Sequence, residues 1–221
     1  MKSLRILQGF VLLCILLIPI VIIVFLRTFG SNKYDIDVFY VDGIPNDLFM
    51  ECDHKQGVQH IIPDFTFTSN KGLQVGRFEM EGKITIVDFF FTSCPSICPV
   101  MSSEMERVDD AFKDNPNVQI YSISIDPEFD TQEVLDSYAQ KHLASHKWHF
   151  LTGDKEEIYN LARCGFVLPT FDGYGVPDDF VHSDKFVLVD EFGRIRGYYS
   201  GTTREEVDRL ILETKILLHG K

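Results

Sequence analysis

Acidic residues are missing from the first thirty-four positions of this 221-residue chain, where only Lys2, Arg5, Arg27 and Lys33 carry charge. Over the whole chain 33 acidic side chains face 21 basic ones, and from Ser31 onward the balance is 18 minus 33, or -15. A domain that acidic lacks the clustered Lys and Arg that phosphate neutralisation needs, which excludes a nucleic-acid partner. Five cysteines, one of them Cys14 in the apolar N-terminus, are too few to staple a domain of this length as a disulfide scaffold. No internal repeat and no low-complexity segment occurs. The length supports one full-sized core but is short for two independent domains.

Phe10 to Leu26 is an unbroken apolar run apart from Pro19, and with Ile6 and Leu7 it reaches the roughly 20 residues that cross a bilayer. Lys2 and Arg5 ahead of it predict a short cytoplasmic tail, with everything after Arg27 exported. No small-x-small cleavage site follows the run, and Leu13 precedes Cys14 where lipoprotein processing wants a small residue. Retention as an anchor is therefore expected, with a cleaved signal peptide as the alternative. Cys14 reads as an ordinary apolar residue in lipid. The expected organisation is tail and transmembrane anchor over residues 1–30, a polar stalk over 31–61, and one domain over 62–221.

Within the domain, Ile62 to Thr68 and the nearly all-apolar run Ile84 to Phe91 read as strands, the second covered on both faces. Met101, Met105, Val108 and Phe112 recur at helical spacing from about Pro99. A strand at Val118 to Ile125, a helix at Thr131 to His142, a strand at Trp148 to Leu151 and a helix from Asp154 continue the alternation, which implies parallel pairing with crossover helices. After a Gly- and Pro-rich loop from Leu168 to Asp179, Lys185 to Val189 and Arg194 to Tyr199 predict an antiparallel hairpin joined by Asp190-Glu191-Phe192-Gly193. A helix from Arg204 to about Leu218 closes the chain. The fold class expected is α/β, a thioredoxin-like arrangement with a central mixed sheet flanked by helices, behind an N-terminal transmembrane helix.

Strand Ile84 to Phe91 runs into Thr92-Ser93-Cys94-Pro95-Ser96-Ile97-Cys98-Pro99, at the carboxyl end of a parallel strand, where open α/β sheets place their sites. Pro99 suits the first helical position, so Cys98 is expected at the helix start, its thiol pKa lowered by the positive end of the dipole. Three residues separate the two cysteines, one more than in the common C-x-x-C motif. Disulfide exchange by a redox-active Cys94 and Cys98, and chelation of a soft ion, Cu(I) or Zn(II), both remain open on that spacing. An imidazole suits either ion, and Cu(II), as third ligand. Of seven histidines, His182 is the best placed, at the end of the long loop and directly before Lys185. His142, His146 and His149 read as scattered, and His219 lies in the tail.

The run Val87-Asp88-Phe89-Phe90-Phe91-Thr92-Ser93-Cys94-Pro95-Ser96-Ile97-Cys98-Pro99 closely resembles the copper motif of the Sco/SenC family. Ser124-Ile125-Asp126-Pro127-Glu128 with Asp130-Thr131, Trp148-His149-Phe150-Leu151-Thr152-Gly153 and Val181-His182-Ser183 are similar to its further landmarks. The resemblance spans roughly Ile62 to Leu218. It implies a thioredoxin-like domain that binds copper through Cys94, Cys98 and His182 and serves assembly of the binuclear copper centre of cytochrome c oxidase. Its partner would be the copper-receiving subunit, and its role that of copper donor, thiol reductant of the target cysteines, or both. With no Arg-rich transit peptide ahead of the anchor, the expected location is the bacterial cytoplasmic membrane. The sequence departs from the family in lacking an Asp immediately before His182, so Asp178, Asp179 or Asp184 is expected to orient the imidazole. Cys164 reads as a small buried hydrophobe, and Cys52 with His54 and His60 as a candidate accessory metal site. A peroxidase of the same superfamily finds no resolving cysteine or catalytic arginine pattern here.

Overall fold

The structure, a computed structural model, describes residues 2–29, 36–45, 52, 57–168 and 183–219. Two compact units divide the chain, Met1–Tyr34 and Asp35–Lys221. The first is the helix α1 (Lys2–Phe29), which contains Pro19. Its large apolar side chains from Val11 to Phe25 are exposed. Among the described residues no helix is both long enough and apolar enough to cross a membrane.

Among its described residues the second unit has seven strands: β1 (Thr66–Ser69), β2 (Gln74–Gly76), β3 (Ile84–Phe90), β4 (Val118–Ser124), β5 (Trp148–Thr152), β6 (Lys185–Val189) and β7 (Ile195–Ser200). They form one sheet in the order β2-β1-β5-β4-β3-β6-β7. The β3–β4 and β4–β5 pairs are parallel, and β6 runs antiparallel to both β3 and β7. Every residue of β3 and β4 is buried, as expected for central strands covered on both faces. The helices are α2 (Arg77–Met80), α3 (Cys98–Phe112), α4 (Gln132–Lys141), α5 (Lys155–Asn160), continued by a π-helical turn over Leu161–Gly165, and α6 (Arg204–His219). This is the central mixed sheet flanked by helices that the alternation predicts.

The two crossovers β3-α3-β4 and β4-α4-β5 advance in the same direction, so handedness puts α3 and α4 on one face of the sheet. Contacts agree: Phe90 of β3 packs on Tyr138 of α4, and Arg107 of α3 pairs with Asp208 of α6. The other face carries the π-turn, with Phe166 edge-on to Phe89 at 5.5 Å. Alternation along β7 serves both layers, since Tyr199 donates to Glu213 of α6 while Tyr198 donates to the carbonyl of Phe166.

Three expectations are corrected. The first strand begins at Thr66, and β2 and α2 follow it where no sequence period marks them. Gly76 makes that tight turn possible, because a Cβ there would lie 2.0 Å from the Phe65 carbonyl oxygen, and the Glu79 carboxylate accepts from the Gly76 N–H. Second, described residues of the expected stalk are bonded to the strands of the sheet and the turns around it. Phe39 N–H donates to Ile195 O, the His60 ring bonds the Gly165 carbonyl, and Arg196 donates to the carbonyls of Ile36 and Asp37. Third, α5 does not run on as an α-helix but widens into the π-turn before Phe166. The hairpin turn agrees with the sequence: Gly193 has φ +79°, and Asp190 accepts from the N–H groups of Phe192 and Arg194.

Candidate metal and thiol site

β3 ends at Phe90, and the chain turns through Thr92 and Ser93 to bring Cys94 back over the start of α3. Cys94 and Cys98 are both free thiols and both buried, at 5% and 3% exposure, whereas Pro95, Ser96 and Pro99 around them face solvent.

Their acidities are split. Burial alone would raise the Cys94 thiol, but hydrogen bonds from the Cys98 thiol, from the Cys98 and Ser96 backbone and from the Ser96 hydroxyl, 3.6 Å away, hold it below the usual thiol range. Burial is also the main reason Cys98 is pushed up to about 12; donating its proton to Cys94 and facing the charge of Asp88 add to the effect. The expectation that Cys98 carries the stabilised thiolate is thus reversed. Cys98 opens α3, but its backbone N–H at that helix start, with that of Ser96, acts on Cys94, which receives the benefit of the dipole.

Close enough to act on Cys98 is a buried carboxyl, Asp88. Asp88 is the lone acid in an apolar strand, and burial pushes its pKa up to about 7 against the hydrogen bond it accepts from Ser122 at 2.5 Å. Trp148 Nε1 donates in turn to Ser122 Oγ at 2.8 Å. A polar thread therefore crosses β3, β4 and β5 below the cysteines. The signal was in the sequence: one charged residue inside a strand buried on both faces.

His182, Asp178, Asp179 and His54 lie outside the described residues. β6 pairs with β3 in the register Val87↔Val187 and Thr85↔Val189, which puts the beginning of β6, three positions after His182, at the same end of the sheet as Cys94. Asp184 is engaged elsewhere, accepting from Ser200 Oγ at 2.7 Å and pairing with Lys185 at 2.7 Å. The remaining histidines are scattered as expected: His142 Nδ1 bonds Glu106 at 2.6 Å, and His149 stands edge-on to Tyr121. Among the described residues no cluster of three or more His, Cys, Asp or Glu forms a further metal site.

Cys52 and Cys164, 112 positions apart in sequence, form a disulfide with Cα atoms 5.6 Å apart. Cys164 is therefore not a small hydrophobe, and the accessory site loses its thiolate. His60, its other described member, bonds the carbonyl of Gly165 at 2.7 Å. Two cysteines outside the motif, in a domain expected to be exported, were the signal for this pairing.

The SCO1/SenC family profile matches residues 53–216. A SCO1 protein homolog of Bacillus subtilis is 31% identical over 164 residues, 73% of this chain and 84% of that protein. BsSco, described as a member of the Sco family of cytochrome c oxidase assembly proteins and as having a disulfide switch, aligns with a TM-score of 0.63 at 31% identity over 73% of this chain and 95% of its own. Arabidopsis thaliana ScoI with copper bound aligns with a TM-score of 0.58 at 29% identity over 72% and 99%.

Proposed function

Since the chain belongs to the SCO1/SenC family, we propose that it is a membrane-anchored copper metallochaperone for the binuclear copper centre of cytochrome c oxidase. Copper is its cargo, held by Cys94, Cys98 and His182. The observation that carries this reading is the buried, reduced pair at the start of α3. Two thiols buried at one strand-to-helix turn suit a soft ion once ionised. One of them is already disposed to be a thiolate, and binding must displace the proton from Cys98, so affinity rises with pH. The start of β6 at the same sheet end supports His182 as the third ligand. Transfer goes to the copper-receiving subunit of the oxidase.

The anchor is α1, with the acidic domain on the exported side of a bacterial cytoplasmic membrane. The exposed apolar side chains of α1 support this, as does the Cys52–Cys164 disulfide, which persists in an oxidising compartment. A second reading, a thiol-disulfide oxidoreductase that keeps target cysteines reduced, is favoured by the split acidities. An attacking Cys94 thiolate beside a protonated Cys98 is what disulfide exchange uses.

His182→Ala distinguishes the two. Cu(I) accepts low coordination and survives on two thiolates, whereas Cu(II) also favours nitrogen. Cu(II) affinity is expected to fall by roughly 100-fold or more, beyond the 10–100-fold typical of losing an outer partner, with a much smaller loss for Cu(I). The thiolate-to-Cu(II) charge-transfer band should fade or shift, while disulfide exchange changes only modestly. An unchanged Cu(II) spectrum would remove His182 from the ligand set and favour the oxidoreductase.

A further inference from the structure

Asp130 is fully buried, and no Lys or Arg pairs with it among the described residues. A buried carboxylate is tolerated when donors fill its oxygens. Here Oδ2 accepts from the Thr92 N–H at 3.0 Å and from the Ser124 hydroxyl at 2.5 Å, and Oδ1 accepts from the Thr92 hydroxyl. Asp130 itself is held firmly. Its N–H donates to Asp126 O at 2.8 Å, the Asp126 N–H donates to Ser124 Oγ, and Thr131 behind it caps α4.

The turn after β4 is thus bonded to the turn after β3 across two neighbouring parallel strand ends. Service to its own turn would require only the Ser124 bond. The two bonds to Thr92 reach into the turn that carries Cys94, two residues further on. They fix both the backbone and the side chain of Thr92, while Pro95 and Ser96 on the far side of Cys94 are exposed.

We propose that Asp130 is a positioning residue for the cysteine pair. By gripping Thr92 it holds the Thr92-Ser93-Cys94 turn so that Cys94 Sγ stays within reach of Cys98, preset either to close into a disulfide or to bind across one ion. The role rests on the reading of Cys94 and Cys98 as the working site. Preorganisation of this kind appears as an effective concentration of one thiol at the other. That quantity is read from the balanced exchange in which the two thiols and one oxidised glutathione give the Cys94–Cys98 disulfide and two reduced glutathione molecules, protons being conserved.

The full chain in detergent is equilibrated in glutathione buffers, and the pair is scored by thiol trapping and peptide mass. Asp130→Asn keeps the size but puts an NH2 donor among the donors of Thr92 and Ser124, and its closure constant is expected to drop at least tenfold. Thr92→Val removes only the hydroxyl and should lower the constant about threefold, whereas Thr92→Ser, which keeps the hydroxyl, should match the parent. Circular dichroism and an intact Cys52–Cys164 bond verify folding, and if Asp130→Asn does not fold, the Val and Ser variants decide. Closure constants within the error of the parent in every folded variant, Thr92→Val included, even with lowered urea midpoints, would make Asp130 a purely structural residue and overturn the proposal. A parent pair that neither closes with glutathione nor binds Cu(I) would instead overturn the functional reading on which it rests.

Discussion

Replacing Cys52 and Cys164 together by serine is expected to lower the stability of the Asp35–Lys221 unit by about 4 kcal/mol, within the 2–5 kcal/mol typical of a lost native disulfide. The bond joins residues 112 apart, and a loop of about 100 residues is worth roughly 4.7 kcal/mol in the chain-entropy account. It ties a segment ahead of the sheet to the π-turn, where His60 and Tyr198 also hold the carbonyls of Gly165 and Phe166. Those two bonds survive the substitution and limit the loss in the folded state. The melting temperature should fall by roughly 8–16 °C for a unit of this size, while the Cys94–Cys98 pair still closes and opens. Urea denaturation of parent and double variant checks this; equal midpoints would mean that the folded contacts alone hold the segment.

Asp88→Asn is expected to stabilise the same unit, and more so at high pH. The folded carboxyl titrates near 7, against an ordinary value of 3.8, because it is buried. Between those two values the unfolded chain has released its proton and the folded chain has not. The folded state therefore binds more protons, and stability falls as pH rises. Above 7 both states are ionised and the loss is complete, on the order of 4 kcal/mol at most. An Asn amide keeps an acceptor for the Ser122 hydroxyl and carries no charge. The variant should exceed the parent by about 1–2 kcal/mol at pH 5 and by up to about 4 kcal/mol at pH 8, on the same linkage. Comparison within one pH cancels the other titrating groups, such as Asp126, also raised by burial, and Asp184, lowered by Lys185 and Ser200 despite its burial. An advantage equal at both pH values would show that the carboxyl ionises normally in the fold. Loss of the Asp88 charge should also bring the Cys98 thiol down from its raised value.

The elements that carry strong periodicity were legible in the sequence, and those fixed by local irregularity were not. The all-apolar runs of β3 and β4, the i, i+3, i+4 stripe of α3 through Met101, Met105 and Val108, and the Asp190–Gly193 turn each announce their structure. β2 and α2 are too short for a period to show, and depend on Gly76 having no Cβ. The polar segment ahead of β1 reads as a stalk because its attachment runs through backbone carbonyls, such as those of Ile36 and Asp37, that any sequence would offer.

At the site, the pair and its place at a strand end could be read directly, but the direction of proton sharing could not. The residue at the helix start is the natural candidate for a lowered pKa, yet the backbone N–H of Cys98 and the donors of Ser96 act on the thiol four residues earlier, while burial raises Cys98. The role of Asp130 was equally invisible, because its partner Thr92 is 38 residues away in sequence.

Copper stoichiometry as a function of the redox state of one pair tests the central claim most directly. The full chain in detergent, with Cys94 and Cys98 reduced and Cys52–Cys164 intact, is expected to bind one copper per chain and to hold it against an excess of zinc. The same protein with Cys94 and Cys98 joined should bind none, since a disulfide offers no thiolate. Equal copper in both redox states, or displacement of copper by zinc from the reduced protein, would contradict a copper site built on this pair.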